Sequence, residues 1–586
     1  MEQKRNVKIR RQSFLHGAFI LVAAIIIEKI MGAFFKIPLA WILTPVGMGY
    51  FTTAFSLYSP LFSLSTAGFP ITISRLVSEN YVRGRYRDIR QIHKVSIRIF
   101  LFLGILSFSI MFFGARPYAN YTFSSHPENA LSAIYALAPA AFFASMLSIY
   151  RGYYEGLRNM YPTAISEVIE SLCKLLFGLT AAYLIVNSGL KEYAASGTVY
   201  GIKMQSVEYA KMATLPYAAA GAIFGVTLGG FIAFIFLLVY HKKNGDGISQ
   251  EMLHNAPRPL PRKATTLRLI RTAIPIALGS LAVNMSTLVD STFLQGRIGD
   301  VMASHPDVLL GMYKGVITDS AIKLNLVPSF MYGCYGNAIT LFMFVPALTQ
   351  AFGVSALPNV TEAWTQGNPK KIKRSIESVL RIVGMITIPA GIGLSIFSIP
   401  IAFLMYNNNG PEIIGKVLSV LGIAAIFSAT STPINSMLQA IGRVDLPVKI
   451  LVIGLAVKIV LNYTLVGIPK INVMGAAYGT LVCYILITVI ALYKLSKEAK
   501  VKINFIAIFL KPLIASVLSI GAAYLLRQAA VLVISGRLAT CGAVFAAVVL
   551  YIFFMLRFKA LSRHDILMLP KGEKVAKILE KHNWIS

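Results

Sequence analysis

Apolar runs of roughly twenty residues, parted by short polar stretches, recur along the whole chain. At about 1.5 Å of rise per residue, such a run crosses the ~30 Å hydrocarbon layer of a bilayer as a helix. Fourteen spans fit the pattern: 14–39, 47–74, 95–116, 129–150, 162–187, 216–241, 268–297, 328–356, 376–406, 412–438, 447–468, 473–493, 510–528 and 536–557. The predicted fold class is therefore all-α and polytopic. Two connections, 188–215 and 298–327, are long, mix both charge signs and read as loops. The first has no later counterpart, because Val466 to Asn472 makes the same connection briefly, so it reads as an insertion. Pro60, Pro70, Pro346 and Pro358 are expected to kink the second and eighth spans, with the freed carbonyls satisfied inside the bundle.

A repeat underlies the spans. A Gly/Arg turn over 156–161 leads to Pro162, which opens the next apolar helix where its missing N–H costs nothing. A second such turn, from Gln439, leads to Pro447. Lys174 lies twelve residues after Pro162, and Lys458 eleven after Pro447. The helix after each turn is expected to pair with one carrying Gly-Ala-x-x-Gly, at Gly221–Gly225 and again at Gly475–Gly479. Upstream of these, Gly84 is followed by Arg87, Arg90 and Arg98 at the offsets at which Gly367 is followed by Lys370, Lys373 and Arg381. Three landmarks in one order imply two pseudo-symmetric six-helix lobes. They occupy 14–243 and 268–497, joined by a linker at 244–267 and followed by two extra helices (510–557) and a tail (558–586). Internal repeats in a membrane protein point to a transporter with its site between the halves.

Composition agrees. Hydrophobic residues make up 56% and charged residues only 13% of 586 positions, too few charges to cover a soluble surface of that size. The net charge of +31 would suggest nucleic acid in a soluble protein. Here the Lys and Arg residues cluster in alternate loops, at 75–94, 242–267, 357–375 and in the tail, which is the positive-inside pattern. Both termini are thus expected on the cytoplasmic side, with the basic loops facing anionic lipid and no nucleic-acid partner. Lys4, Arg5, Lys8, Arg10 and Arg11 precede a first span too long for a signal-peptide core, so that span reads as retained.

Ionisable residues at bilayer depth cost several kcal/mol unless they face protein or water, which makes each a candidate. The first span holds Glu28, Lys29 and Lys36, the two lysines seven apart and so on one face. The alternative is a local Glu28–Lys29 pair with Lys36 reaching the interface. The seventh span holds Asp290 and Arg297, again seven apart, together with Asn284; Gln350 lies in the eighth. Opposed charges on the first and seventh spans would line one central cavity. Glu167, Glu170 and Lys174 form a stripe on the fifth span, in the order that favours an ion pair. Because Lys458 repeats Lys174 without the acids, this stripe reads as structural, with a coupling role as the other possibility. No phosphate-cradling GxxxxGK[ST], no HExxH and no spaced Cys/His set occurs, so no enzyme chemistry, cofactor or metal site is expected. A transporter of this chain would be driven by Na⁺ or H⁺, by membrane potential or by substrate supply.

The stretch from Arg151 through Pro162 to Glu170 resembles the segment after the fourth span in the stage V sporulation protein B and MurJ-like polysaccharide transporters. These belong to the multidrug/oligosaccharidyl-lipid/polysaccharide (MOP) superfamily. Pro433 to Arg443 and Lys458 to Tyr463 resemble the matching segment of the second half, and Gly68 to Arg75 the end of the second span. This resemblance implies a V-shaped, two-lobed bundle of the bacterial cytoplasmic membrane that alternates access. Its implied substrate is an undecaprenyl-pyrophosphate-linked sugar, foremost the peptidoglycan precursor lipid II, with roles in cell-wall biogenesis or sporulation. In that family the first, second, seventh and eighth spans line a cationic cavity, and the last two form a groove for the lipid tail. Lys29, Lys36 and Arg297 are then the cavity cations, and Glu28 and Asp290 their counter-charges. The alternatives are a cation-coupled drug exporter of the same superfamily, which would need an acidic cavity, and a flippase for another lipid-linked polysaccharide. A membrane glycosyltransferase would want carboxylates that Asp300, Asp307 and Asp319 are too dispersed to supply.

Overall fold

The computed structural model describes residues 14–558 apart from 67, 124, 408, 444 and 505. The basic N-terminal stretch, the tail from 559 onward and the side chains of 351–359, Pro358 included, lie outside the described residues. Two compact units divide the chain: one comprises residues up to Met302 plus Ile317–Gly333, the other Ala303–Val316 plus Cys334 onward.

The first unit is built from α1 (Phe14–Thr66), α2 (Gly68–Val82), α3 (Tyr86–Thr122), α4 (Glu128–Gly156), α5 (Tyr161–Cys173), α6 (Leu179–Ser196), α7 (Val207–Asn244), α8 (Gln250–His254) and α9 (Arg262–Ser304). One π turn, Lys174–Gly178, joins α5 to α6 in a single rod. After α9 the chain forms α10 (Pro306–Met312) and α11 (Asp319–Lys323), then α12 (Val327–Phe342). The second unit continues with α13 (Phe344–Thr365), α14 (Pro369–Ile396), α15 (Ser398–Tyr406), α16 (Pro411–Ala440), α17 (Asp445–Val466), α18 (Met474–Glu498), α19 (Lys511–Ala530) and α20 (Gly536–Arg557). Among the described residues, twelve helices are long and apolar enough to cross a membrane; the kinked helix α1 stands outside that count.

Helix starts follow local chemistry. Ser206 and Ser249 accept backbone N–H bonds at the starts of α7 and α8, and Asn368 caps α14 with Pro369 behind it. Basic residues at 241–243 close α7, where the helix dipole favours them. In each half the helix after the Gly/Arg turn packs on the one that carries Gly-Ala-x-x-Gly: α5 and α6 on α7, α17 on α18. A Cβ on Gly225 would run into the backbone of Gly178, sixteen residues after Pro162; one on Gly479 would meet the Asn462 side chain, fifteen after Pro447. The one-residue offset is the one that separates Lys174 from Lys458.

Several boundaries depart from the sequence expectation. The first two spans are one 53-residue helix, broken at Thr44 (φ 56°, ψ 175°), because Pro45 bars the residue before it from helical geometry. Pro60 stays within α1 without breaking it. The eighth span divides at Met343, so that Pro346 falls in the first turn of α13, where it is tolerated; the ninth divides at Phe397. The stretch 188–215 is mostly not loop. Helix α6 runs on to Ser196, a two-residue hairpin pairs Thr198 with Lys203, and α7 begins at Val207. Hydropathy marks where hydrocarbon ends, whereas good helix formers such as Leu190, Lys191 and Glu192 carry the rod beyond it. Glu192 then accepts from Thr198 Oγ1 and Gly201 N, both at 3.3 Å, and anchors the hairpin. Likewise 298–327 contains the end of α9 and the short helices α10 and α11.

Candidate functional site

The charges of α1 and α5 occur together in the first unit. Helix α1 packs on α4 and α5, and α4 turns back into α5 through residues 157–160. A helical hairpin brings together residues equidistant from its turn. Arg151, six before the turn, therefore meets Ser166, six after it: Nε donates to Ser166 Oγ at 2.9 Å, and Nη2 donates to Glu170 Oε2 at 2.9 Å. Arg151 is 17% exposed and Glu170 30%, so the pair is largely removed from solvent. Glu167 lies in the field of Arg151, Glu28, Glu170 and Lys29, and its Oε2 is buried with no hydrogen-bond partner. Glu155, one turn beyond Arg151, lies in the fields of Glu167 and Arg151. Lys36 faces the charges of Lys174 and Lys29; Lys174 faces Glu170, Glu28 and Lys29 and sits 5.5 Å from the centre of the Phe35 ring. Lys29 Nζ is 3.8 Å from Glu28 Oε1, both partly exposed.

Arg151 and Glu155 escaped the sequence analysis as site residues, although they stand in the stretch that carries the repeat. Their signal was the hairpin itself: counting outward from the turn pairs Arg151 with the acidic stripe. With them the group holds four cations (Lys29, Lys36, Arg151, Lys174) and four carboxylates (Glu28, Glu155, Glu167, Glu170) on three helices.

The seventh-span candidates lie in a second polar group of the same unit. Asp290 is 5% exposed and acts on Tyr332, whose hydroxyl is 2.7 Å from Ser56 Oγ. Next to it Tyr118 donates to Ser291 Oγ at 2.9 Å, and Gln295 Nε2 donates to Thr53 Oγ1 at 2.9 Å. Arg297 Nη1 is 2.6 Å from Asp300 Oδ2 and 28% exposed. Asn284 bonds back to Ser280 O on its own helix. Gln350 lies on α13 in the second unit and is exposed.

The Lys/Arg-rich end of the first unit is tied together. Arg87 donates to Leu253 O, Arg90 to Asp246, and Asp88 accepts from Leu260 N, so that 246–260 lies against the start of α3. Arg268 donates to both Glu79 oxygens, at 3.0 and 2.8 Å, and this hydrogen bonding holds the Glu79 carboxyl below its ordinary pKa. Among the described residues no group of three His, Cys, Asp or Glu side chains could hold a metal.

This fold is that of a multi-pass transporter. The solved structure "Lipid II flippase MurJ, inward closed conformation" aligns with a TM-score of 0.62 at 15% identity, over 92% of this chain and 98% of that one. The polysaccharide biosynthesis protein model matches residues 14–364, and the chain belongs to that family. The model for lipid II flippase MurJ also matches, over residues 327–554. Among curated relatives, lipid II flippase MurJ of Bacillus subtilis (strain 168) is 26% identical over 80% of both chains. Stage V sporulation protein B of the same organism is 22% identical over 96% of this chain and 98% of that one. The chain is thus a membrane transporter of the lipid-linked polysaccharide flippase type rather than an enzyme.

Proposed function

We propose that the protein moves an undecaprenyl-pyrophosphate-linked cell-wall precursor, lipid II foremost, across the bacterial cytoplasmic membrane by alternating access, with both termini inside. The observation that carries this is the charged group on the apolar helices α1, α4 and α5, where Lys36 lies in the field of Lys174 and Lys29. A pyrophosphate offers acceptors for just such ammonium donors, and charge-assisted bonds are about twice as strong as neutral ones. Lys29 and Lys36 take the pyrophosphate, and Arg297 receives it from the seventh helix. Glu28 and Asp290 limit the cost of burying these charges when no substrate is bound. Glu167, Glu170, Lys174 and Arg151 hold the resting arrangement, and Na⁺, H⁺ or the membrane potential resets it.

The test is expression in a bacterium depleted of its lipid II flippase. Restored growth and restored labelling of lipid II at the outer face are expected. Normal abundance without growth, together with rescue of a strain lacking a different lipid-linked glycan flippase, would overturn lipid II and keep the wider class. Drug efflux without rescue of either strain would favour the exporter.

A further inference from the structure

The connection between α6 and α7, which the second half makes briefly, has a shape that the transport site does not explain. Helix α6 stops at Gly197 (φ 71°), and Met204 N donates to Gly197 O at 3.0 Å to close a hairpin over 198–203. Two residues make its turn, Tyr200 at φ 52° and Gly201 at φ 77°. Such a turn favours asparagine or aspartate before the glycine, because those side chains tolerate positive φ. A tyrosine there carries backbone strain of about 1 kcal/mol, and an outlier of that kind points to a use beyond the turn itself.

The hairpin does not project beyond the helices; it doubles back along them. Val199 is fully buried, and a Cβ on Gly189 would run into Thr214 and touch Val199. Gly189 and Thr214 each lie seven residues, about two turns, inside their helices, so the first strand packs back between α6 and α7. The ring of Tyr200 stands edge to face with that of Tyr217, their centres 5.0 Å apart. Tyr217 is ten residues, about 15 Å, inside α7, where the apolar run begins. Tyr217, Phe224 and Phe231 recur every seventh residue and are all exposed, so they form one stripe down a helix long and apolar enough to cross a membrane. Tyr200 extends the end of that stripe, and Ile202, two residues on, is 64% exposed.

We propose that the 197–206 hairpin is an interfacial anchor: its tip, Tyr200 to Ile202, lies in the headgroup and upper acyl layer of the membrane that α7 crosses. Tyrosine suits that depth, since its ring sits among acyl carbons while its hydroxyl reaches headgroups and water. Lipid is the occupant because the exposed surface of the tip is continuous, through Tyr217, with the stripe that α7 turns to hydrocarbon. An exposed isoleucine beside that ring gains from lipid what it would lose in water. The rod that α5, the π turn and α6 form ends at the hairpin, so an anchor there fixes the depth of the charges on α5.

A nitroxide on Ile202→Cys, in a Cys541→Ser background that removes the exposed native thiol, reads the depth of the tip in the full-length protein in lipid nanodiscs. Labels on Phe224→Cys and Glu208→Cys, both exposed on α7, give the hydrocarbon and water references. Collisions with a water-soluble nickel chelate should be rarer at Ile202 than at Glu208 by about threefold or more, with oxygen collisions approaching those at Phe224. Equal nickel access at Ile202 and Glu208 would overturn the anchor and leave the tip to a soluble partner. Tyr200→Asn suits the turn better and keeps the hairpin, yet it removes the ring, so it should return the Ile202 label toward the Glu208 value. An unchanged depth in that variant would overturn the part given to Tyr200. Where the labelled chain fails to fold, Tyr200→Trp is read against the wild type. Its added fluorescence should fall by about half in lipid brominated high on the acyl chains, and unaltered emission would overturn the proposal.

Discussion

Helices α5 and α17 follow matching turns, open with matching prolines and carry a lysine at nearly the same offset, yet they are built differently. On α5 two carboxylates precede Lys174, Arg151 crosses from α4 to bind one of them, and a π turn begins at the lysine itself. On α17 no acid lies between Lys449 and Val466, the helix is regular throughout, and Lys458 is 2% exposed. Asp445, the acid nearest the start of α17, pairs instead with Arg443 and Lys449 at the helix end. One scaffold therefore serves two purposes: it exposes a balanced set of charges toward α1 in the first unit and buries a single cation in the second. π turns often mark functional positions, and here the turn coincides with the charged face.

The helix partners sharpen the contrast. Gly225 meets the backbone of Gly178, which cannot yield, whereas Gly479 meets an amide side chain, which can swing away. Gly225→Ala should therefore destabilise by about 3 kcal/mol and Gly479→Ala by about 1, measured as thermal unfolding in detergent. Equal losses would mean that the two helix pairs are packed alike. The next effect belongs to the charges. Arg151→Ala strands Glu170, while Ser166 Oγ keeps its bond to Thr163 O, and should cost about 2 kcal/mol. A double-mutant cycle with Glu170→Ala should return a coupling of about 1 kcal/mol, and zero coupling would show that the pair does not hold the hairpin.

The smallest effect lies outside the bilayer. Bonding to Arg268 lowers the Glu79 pKa in the folded state, so its stabilisation is present above the ordinary carboxylate pKa and fades as pH falls through the lowered value. The pair is partly exposed, so at most about 1 kcal/mol is at stake. Acidification from neutral pH should lower the wild-type melting temperature slightly more than that of Glu79→Gln, and parallel curves would remove the pair from the account.

Much of this was legible in the residues. Apolar runs of bilayer length give the helices, and the recurrence of Pro162 and Pro447 with their glycine motifs gives the pairing of α5 and α6 with α7 and of α17 with α18. Local breaks were harder, because hydropathy does not see the backbone. Thr44 breaks α1 for the sake of Pro45, while Pro60 leaves it intact, and which proline wins depends on what packs around it. Of the charged group, Glu28, Lys29, Lys36, Glu167, Glu170 and Lys174 stood out as ionisable residues in apolar runs. Their grouping did not, since helices adjacent in space need not be adjacent in sequence. Arg151 hid at a helix end, where an arginine needs no explanation until the hairpin is folded.

The central claim is that cations on α1 take the substrate phosphate, while the equivalent lysine of the second half serves packing. Growth of a strain depleted of its lipid II flippase, carrying Lys36→Gln or Lys458→Gln at matched membrane abundance, tests it most directly. Replacing the ammonium with an amide weakens the bond to phosphate while keeping hydrogen-bonding capacity, so Lys36→Gln should cut complementation by about tenfold or more. Lys458→Gln should complement like the wild type. Full growth with Lys36→Gln, or equal loss with both, would contradict the claim.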